Sequence, residues 1–409
     1  MSLRRVVVTG GSCVSSLGND WSEMYKNLKL KKNKVVYMPE WEKYDGMNTK
    51  LACPVLGFKE PDFPRKKTRG MGRIALMAIT SADNAMRDAG LTDYPELKNG
   101  RVGVAYGSSA GSINSLLDFY SMLITNTTNK ISATTYIRMM PQTCAANISV
   151  FYGLTGRLIT TNTACTSGSM SIGYAYENIR SGQQDIMIAG GAEELSPADA
   201  GVFDVLFATS SKNSTPELTP AAYDKNRDGL VIGEGAGTLI LEEYEHAKAR
   251  GARMYAEVVG FATNTDGTHI TQPNKDTIRR VMELALADAG VSADKIGYVN
   301  SHGTATAVGD VAESHATYEV FGKKVPVSTI KNYIGHTLGA CGAIEAWVSI
   351  NMMQEGWFAP NINLKEVDDA CAPLDYIMGD GREIETDYVM SNNFAFGGIN
   401  TSLIFKRIK

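Results

Sequence analysis

The chain alternates short apolar runs rich in β-branched residues with longer segments of helical periodicity. Runs of the first kind include RRVVVTG at 4–10 and YAEVVGFATN at 255–264, and each leads into a turn rich in Gly or Asn. This alternation is typical of an α/β fold with mostly parallel strands. No segment approaches the ~18 to 20 consecutive apolar residues of a membrane-spanning helix, so we expect no membrane association.

Pairs of segments recur along the chain in the same order. RVGVAYGSSAG at 101–111 corresponds to IGYVNSHGTA at 296–305. The strand, turn and small-residue helix of 158–182 correspond to those of 325–356. The order of these segments predicts an internal duplication whose halves share one cleft, because ligands bind at the carboxyl ends of such strands.

The order of the segments places the boundary between the halves near residue 252. We expect an N-terminal half over 1–252 that holds the nucleophile and a C-terminal half over 253–409 that holds two catalytic histidines. The length of 409 residues exceeds the ~250 to 300 residues at which a single core stops growing, which agrees with two halves.

Composition excludes some functional classes. The formal net charge of -4 argues against a nucleic-acid binder, which would normally be basic. The amino terminus enters an apolar run without the long hydrophobic segment of a secretory signal, and a cytoplasmic protein is the simplest expectation. The six cysteines form no C-x-x-C pair, so neither a zinc ribbon nor a thioredoxin motif is indicated.

One cysteine differs from the others in its context. Cys165 lies in TNTACTSGSMSIGYAYENI, after a β-branched run and directly before a helix. A thiol at such a turn faces unpaired backbone N–H groups and the positive end of the helix dipole, which favour the thiolate. The alternative is a buried structural cysteine, which would more naturally have apolar neighbours. We predict that Cys165 is a nucleophile exposed by a sharp turn.

Two of the five histidines follow predicted strands. His302 lies in VNSHGTATAVGD, and His336 lies in KNYIGHTLGACGAIEA before a small-residue helix. His246 and His315 lie in polar helical segments and are expected at the surface, while the loop residue His269 stays undecided. His302 and His336 could instead bind a metal, although no ligand spacing supports this, or belong to the core.

One reaction would use the thiol and both imidazoles together. Acyl transfer to the thiol gives a thioester, and decarboxylation of a malonyl thioester then gives an enolate whose oxygen needs neutral N–H donors. Lys331, five residues before His336, would keep nearby imidazoles neutral. Glu345, on the following helix, is expected to pair with Lys331.

The same segments resemble the β-ketoacyl-acyl-carrier-protein synthases of the Cys-His-His type, or ketosynthases, over essentially the whole chain. Five motifs stand in the family's order: TACTSG around Cys165, YDKNRDGLVIGEGAG at 223–237, SHGTAT at 301–306, KNYIGH at 331–336 and SNNFAFGGIN at 391–400. The segment MPEWEKYDGMNTKLACPV and the SNNFAFGGINTSL ending are most similar to ketosynthases of bacterial aryl polyene pigment clusters.

The resemblance implies a thiolase-like fold, a five-layered αβαβα arrangement of two duplicated halves. It implies a decarboxylative condensation between an acyl group held on Cys165 and malonyl-acyl-carrier protein, in fatty acid or aryl polyene chain elongation. His302, His336, Lys331 and Glu345 would complete the catalytic set. The enzyme would need no cofactor and no metal, because its substrates are carried on the phosphopantetheine arm of the carrier protein.

The resemblance also assigns residues around the catalytic set. The backbone N–H groups of Cys165 and Phe396 would form an oxyanion hole, with the Phe396 ring as a gate. Thr271, Thr304 and Thr306 would bind the phosphopantetheine arm or substrate. The small Ala110 stands where many members carry Ile, and it would admit a longer or aryl-bearing acyl chain.

An acidic carrier protein would require a basic docking patch on this acidic enzyme. PRKKTRG supplies most of the expected cations, and two further lysines match family positions near the pocket mouth; the full set is Arg65, Lys66, Lys67, Arg69, Lys130 and Lys212. The alternative is an ordinary solvated helix start. The resemblance implies a homodimer and leaves a heterodimer open.

Two other functions are possible for such a chain. A thiolase would need a second active cysteine in a C-x-G context near the carboxyl terminus, and FAFGGINTSLIF has none. A non-catalytic chain-length partner would usually have lost the nucleophile, whereas Cys165 is present.

Overall fold

The structure of the protein is a computed structural model that describes residues 3–408. Its strands run in both halves of the chain: β1 (Val6–Val14), β2 (Val36–Tyr37), β3 (Leu51–Cys53), β4 (Val102–Gly107), β5 (Leu158–Thr161), β6 (Ile186–Glu193), β7 (Ile232–Gly233), β8 (Gly235–Glu243), β9 (Ala256–Thr265), β10 (Tyr298–Asn300), β11 (Pro326–Ser328), β12 (Trp357–Phe358), β13 (Asp375–Tyr376), β14 (Arg382–Glu383), β15 (Tyr388–Ala395) and β16 (Ile399–Arg407).

Helices occupy most of the connections between these strands. They are α1 (Trp21–Lys29), α2 (Arg65–Thr68), α3 (Arg73–Asp88), α4 (Ile113–Thr125), α5 (Thr135–Met139), α6 (Thr143–Tyr152), α7 (Ser167–Arg180), α8 (Pro197–Asp204), α9 (Tyr244–Ala249), α10 (Lys275–Ala289), α11 (Ala307–Phe321), α12 (Lys331–Ile334) and α13 (Cys341–Glu355). Among residues 3–408, no helix combines the length and the apolarity that crossing a membrane requires.

The large sheet repeats one strand order twice. The N-terminal half contributes β5-β4-β6-β8-β1, and the C-terminal half contributes β11-β10-β15-β16-β9 with β13 added at the edge. In each half the first three strands are parallel, and the last two are antiparallel to their neighbours. The predicted duplication is therefore confirmed, and β1 pairs with β9 where the halves join.

The helices cover both faces of each half-sheet. Helices α3 and α6 pack on the outer face of the N-terminal half, and α10 with α11 beside it covers the C-terminal half. Helices α7 and α13 pack against each other and contact strands of both halves, so they form the central layer. This αβαβα order is the predicted thiolase-like α/β fold.

The duplication extends to individual contacts. Asp88 at the end of α3 accepts the Gly11 N–H of β1 at 3.0 Å. In the second half, Asp288 at the end of α10 accepts the Phe261 N–H of β9 at 3.1 Å. Equivalent helices are thus attached to equivalent strands by the same kind of hydrogen bond in both halves.

The central helices approach each other closely because small residues line their contact. A side chain on Gly168 of α7 would place its Cβ 2.8 Å from the Ala343 nitrogen of α13. A side chain on Gly342 of α13 would meet the Ser169 nitrogen at 2.7 Å. The small residues therefore allow a close helix contact, and this contact brings the first turns of the two helices together.

We predict that Gly168→Ala lowers the free energy of unfolding by about 1 to 3 kcal/mol, because the added methyl group overpacks this contact. Gly201→Ala is the matched control: Gly201 lies in α8, and a methyl group added there would have nothing within 4 Å, so alanine should stabilise by roughly 0.5 kcal/mol. Urea unfolding of both variants measures the difference, and equal effects would contradict the close contact.

Candidate active site

Cys165 lies on a sharp turn between β5 and α7. Ala164 adopts φ 49°, a left-handed conformation that is uncommon for a residue with a side chain. A single 3-10 turn over Ala164–Thr166 then leads into α7 at Ser167. Backbone strain of this kind persists where the surrounding structure enforces it, often at functional sites. The turn directs the Cys165 side chain toward the C-terminal half, where it is 4% exposed.

The two predicted histidines lie beside this thiol. His336 Nε2 is 3.0 Å from Cys165 Sγ. Ligating atoms of Cys165, His302 and His336 all lie within 4.8 Å of one another, and the two imidazole rings are nearly perpendicular with centroids 5.2 Å apart. Both rings come from loops that follow carboxyl ends of parallel strands, β10 for His302 and β11 for His336.

Hydrogen bonds define which ring nitrogen carries the proton. The Leu338 N–H donates to His336 Nδ1 at 3.2 Å, and the Asn393 amide Nδ2 lies 3.5 Å from His302 Nδ1. Because both neighbours are donors, each Nδ1 accepts and each neutral ring carries its proton on Nε2. Cysteine and histidine are also zinc ligands, but a ligating histidine normally donates from its other nitrogen. The arrangement therefore favours two N–H donors over a metal site.

A buried ion pair lies behind the imidazoles. Lys331 Nζ donates to Glu345 Oε1, and both side chains are almost completely buried. Asn393 Nδ2 donates to the other oxygen of Glu345 at 2.7 Å, so this amide joins the ion pair to His302. Burial, and after it the positive charge of Lys331, holds the pKa of His336 well below its usual value, and the same causes lower the pKa of His302.

The expectation that Cys165 is poised as a thiolate is not supported. Burial raises the pKa of the Cys165 thiol to about 12. The Lys331 charge and the backbone N–H groups of Phe396 and Cys165 act in the opposite direction, but they do not outweigh burial. The Lys331 charge and these N–H groups thus reduce the cost of forming the thiolate while the resting group stays a neutral thiol.

The thiol and both imidazoles line a cavity of about 250 Å³. Phe396 and Phe203 border it with ring centroids 5.2 Å apart. The threonines expected to bind substrate also line the cavity, and the hydroxyl oxygens of Thr304 and Thr306 are 2.9 Å apart. The residues brought together here are Cys165, His302, His336, Phe396, Thr271, Thr304 and Thr306.

Other predicted residues lie outside this cavity. Ala110 is half-buried in the loop after β4 and does not line the cavity. Lys212 is half-buried and donates to the Asn226 carbonyl, while Lys67 donates to the Phe151 carbonyl. Both lysines therefore make contacts within the chain that the docking prediction did not foresee. The remaining cations are exposed: Arg65, Lys66, Arg69 and Lys130.

Two residues that contact the histidine loops were not predicted from the sequence. The SNNFAFGGIN motif indicates only a loop at Asn393, although its amide joins Glu345 to His302. Glu313 of α11 accepts the backbone N–H groups of His302 and Gly303 at 2.6 and 2.7 Å. A signal for Glu313 was present, because a second acid three residues earlier gives one helix face two carboxylates.

One histidine expected at the surface lies elsewhere. His246 is half-buried, with Nδ1 2.6 Å from Glu242 Oε1 and Nε2 2.8 Å from the Tyr94 hydroxyl. Its role is structural, because these contacts join α9 to β8 and to the loop before β4. His315 is exposed as expected, and His269 lies exposed in the loop before α10.

Comparisons with known proteins agree with this geometry. Residues 3–247 match the β-ketoacyl synthase N-terminal domain, and residues 255–365 match the β-ketoacyl synthase C-terminal domain. The chain belongs to the β-ketoacyl synthase family. It is 39% identical to 3-oxoacyl-[acyl-carrier-protein] synthase 2 of Vibrio cholerae, over 100% of both chains.

Solved structures of ketosynthases share the fold. The crystal structure of a β-ketoacyl synthase from Burkholderia phymatum is 54% identical and superposes with a TM-score of 0.98 over 100% of both chains. A ketosynthase solved in complex with its type II PKS acyl-carrier protein is 30% identical, with a TM-score of 0.89 over 100% of both chains.

We predict that replacing the ion pair by Lys331→Met with Glu345→Gln raises the pKa of both imidazoles, because a nearby positive charge is removed without leaving a buried carboxylate unpaired. Both pKa values should stay below 6.5, since burial remains. Lys331→Arg keeps the charge and is the control. Imidazole ¹⁵N NMR titration measures the shift, and unchanged pKa values in the double variant would show that Lys331 does not act on the rings.

Proposed function

We propose that this protein catalyses the decarboxylative condensation of an acyl group with malonyl-acyl-carrier protein. The observation that carries this proposal is the position of a thiol beside two imidazoles that are held neutral and present Nε2–H donors. Family membership supports it, as does the Vibrio cholerae relative named for acyl-carrier-protein substrates. The aryl polyene similarity stays a prediction, and fatty acid synthesis is the alternative pathway.

The first step is acyl transfer to Cys165. Sγ attacks the thioester carbonyl, a new C–S bond forms, and the C–S bond to the carrier breaks. The thiol proton ends on the departing carrier thiol, so charge balances. The developing oxyanion would accept from the backbone N–H groups of Cys165 and Phe396, which also act to lower the pKa of the thiol.

The second step is decarboxylation of the malonyl thioester. The C–C bond to the carboxylate breaks, carbon dioxide leaves, and its electron pair forms an enolate whose oxygen accepts from the Nε2–H groups of His302 and His336. The enolate carbon then forms a C–C bond to the acyl carbonyl on Cys165, the C–S bond breaks, and the Cys165 thiolate takes up a proton from water. Neutral imidazoles suit this role because a protonated ring would transfer its proton to the enolate and quench it.

The alternatives are less compatible with the contacts. A non-catalytic chain-length partner would not require a buried thiol 3.0 Å from an imidazole. A thiolase would need a second active cysteine in a C-x-G context near the carboxyl terminus, and FAFGGINTSLIF has none.

We expect acyl-carrier thioester to add the mass of the acyl group to Cys165. Intact-protein and peptide mass spectrometry would locate the adduct, and Cys165→Ala should remove it. His336→Ala should retain the adduct while condensation falls by about 10² to 10³, the loss typical for one oxyanion donor. Acylation elsewhere in the chain would exclude the assignment.

We propose an acyl carrier protein as the partner, as in the PKS complex that shares this fold. Exposed cations on and after α2, together with Lys130, would attract its acidic surface: Arg65, Lys66, Arg69 and Lys130. Thr271, Thr304 and Thr306 would hold the phosphopantetheine arm on its way to Cys165. Ala110 does not line this cavity, so its expected role in admitting a longer or aryl-bearing acyl chain stays a prediction.

Lys66→Glu should raise the KM for carrier-bound substrate several-fold and leave small thioester substrates unaffected, because only the carrier presents an acidic surface. Lys66 is preferred to Lys67, whose ammonium also holds the Phe151 carbonyl. Lys323→Glu, an exposed charge reversal in the turn between α11 and β11, is the control. The difference should shrink as ionic strength rises. Equal effects on both substrates would rule out docking at Lys66.

We further propose a homodimer built on the edge strand β5, with a heterodimer as the alternative. The outer edge of β5 has no strand partner among residues 3–408, which leaves a pairing surface, and Leu158 on β5 is 44% exposed. Large apolar side chains of α4 are also exposed, Leu123 at 73% and Ile124 at 77%, as at subunit interfaces.

We propose 1–252 and 253–409 as the two halves of the chain, since β9 begins the second set of strands just after residue 252.

A further inference from the structure

Glu193 is a buried acid that the proposed reaction does not use. It ends β6, is 1% exposed, and has no ion-pair partner among residues 3–408. Its Oε2 accepts three hydrogen bonds: from the Ser109 N–H at 2.8 Å, from the Ser109 hydroxyl at 2.5 Å and from the Gly339 N–H at 3.0 Å. A buried carboxyl group without a neighbouring cation destabilises the folded state, so its presence indicates a role in the protein.

The position of Glu193 follows from the duplication. Gly191 of β6 pairs with the last residue of β4, and Ser391 of β15 pairs with the last residue of β10. Glu193 and Asn393 each lie two residues further, so they occupy equivalent places in the two halves. Asn393 contacts His302, whereas Glu193 contacts the turn after His336.

That turn repeats the one that carries Cys165. Leu338 has φ 45°, as Ala164 has φ 49°, and a single 3-10 turn leads into α13 as one leads into α7. Gly339 thus corresponds to Cys165. The Leu338 N–H, one residue before the N–H held by Glu193, is the donor that places the His336 proton on Nε2.

We infer that Glu193 is a positioning residue for His336, acting through the hydrogen bond to Gly339 that fixes the turn over residues 336–339. This inference rests on the proposed function, because it concerns the step in which His336 donates to the enolate. Without the anchor the Leu338 N–H can move away from Nδ1, and the imidazole can rotate or exchange its tautomer. Acyl transfer to Cys165 does not use the His336 donor and should be much less affected.

The role requires an acceptor and no charge. Burial raises the pKa of Glu193 to about 8, so the group is mainly the neutral acid at pH 7. A glutamine amide has the same shape and keeps an acceptor oxygen in the place of Oε2. Glu193→Gln should therefore preserve the turn, whereas Glu193→Ala removes the acceptor from all three donors.

The experiment measures two partial reactions: acylation of Cys165 by an acyl thioester, and carbon dioxide release from a malonyl thioester. Glu193→Ala should slow carbon dioxide release about 10- to 100-fold more than acylation, as expected for a small displacement of a reacting group. Glu193→Gln should restore the wild-type ratio of the two rates. It should also raise Tm relative to wild type increasingly between pH 5 and pH 8, since a folded-state pKa raised from 4.5 costs the native acid stability in that range.

Glu194→Ala is the matched control. Glu194 is the next residue, is buried, and accepts the backbone N–H groups of Ile74 and Ile113 at 3.0 and 2.8 Å, away from His336. Its loss should change both partial reactions alike. Equal slowing of both reactions in Glu193→Ala, or failure of Glu193→Gln to restore the ratio, would overturn the inference. Absence of Cys165 acylation in the wild-type enzyme would instead contradict the proposed function.

Discussion

The site depends on one buried positive charge. Lys331 is almost fully enclosed, and its ammonium is stabilised by Glu345, which in turn accepts a hydrogen bond from Asn393. A buried pair repays its desolvation only with good geometry and further hydrogen bonds, and removal of one partner typically costs about 3 to 5 kcal/mol. The molecule bears this cost at the place where the positive charge adds to burial in lowering the pKa of both imidazoles and opposes the burial that raises the pKa of the Cys165 thiol.

The duplicated fold explains how Lys331 comes to lie near reacting groups from both halves of the chain. The Cys165 thiol comes from the turn after β5, and the imidazoles come from segments after β10 and β11. Glycine contacts between α7 and α13 allow the first turns of these helices to approach closely. The thiol of one half therefore lies at hydrogen-bonding distance from an imidazole of the other. Substitutions in the central helices should accordingly change the rate of the reaction.

Much of this could be predicted from the sequence where a local pattern determines the structure. The β-branched runs and small-residue segments predicted the duplicated α/β fold. The sequence around Cys165 predicted its turn, because a strand, a sharp bend and a helix follow in order. The charge state of Cys165 was not predictable from that pattern, since burial comes from distant segments and outweighs the nearby positive charge and backbone N–H groups. The contacts of Asn393 and Glu193 depend on register between strands, which no local pattern reveals. Lys67 and Lys212 resembled free cations because their carbonyl partners lie 84 and 14 residues away.

The glycine at the second turn has a consequence for how the two halves diverged. A side chain on Gly339 would meet the Ser109 nitrogen and Glu193 Oε2, each at 2.8 Å. A cysteine side chain does not fit at Gly339, so the turn over residues 336–339 cannot carry a covalent intermediate of its own. Under the proposed mechanism each chain holds one acyl group at a time, because the second turn has no space for a single additional carbon atom.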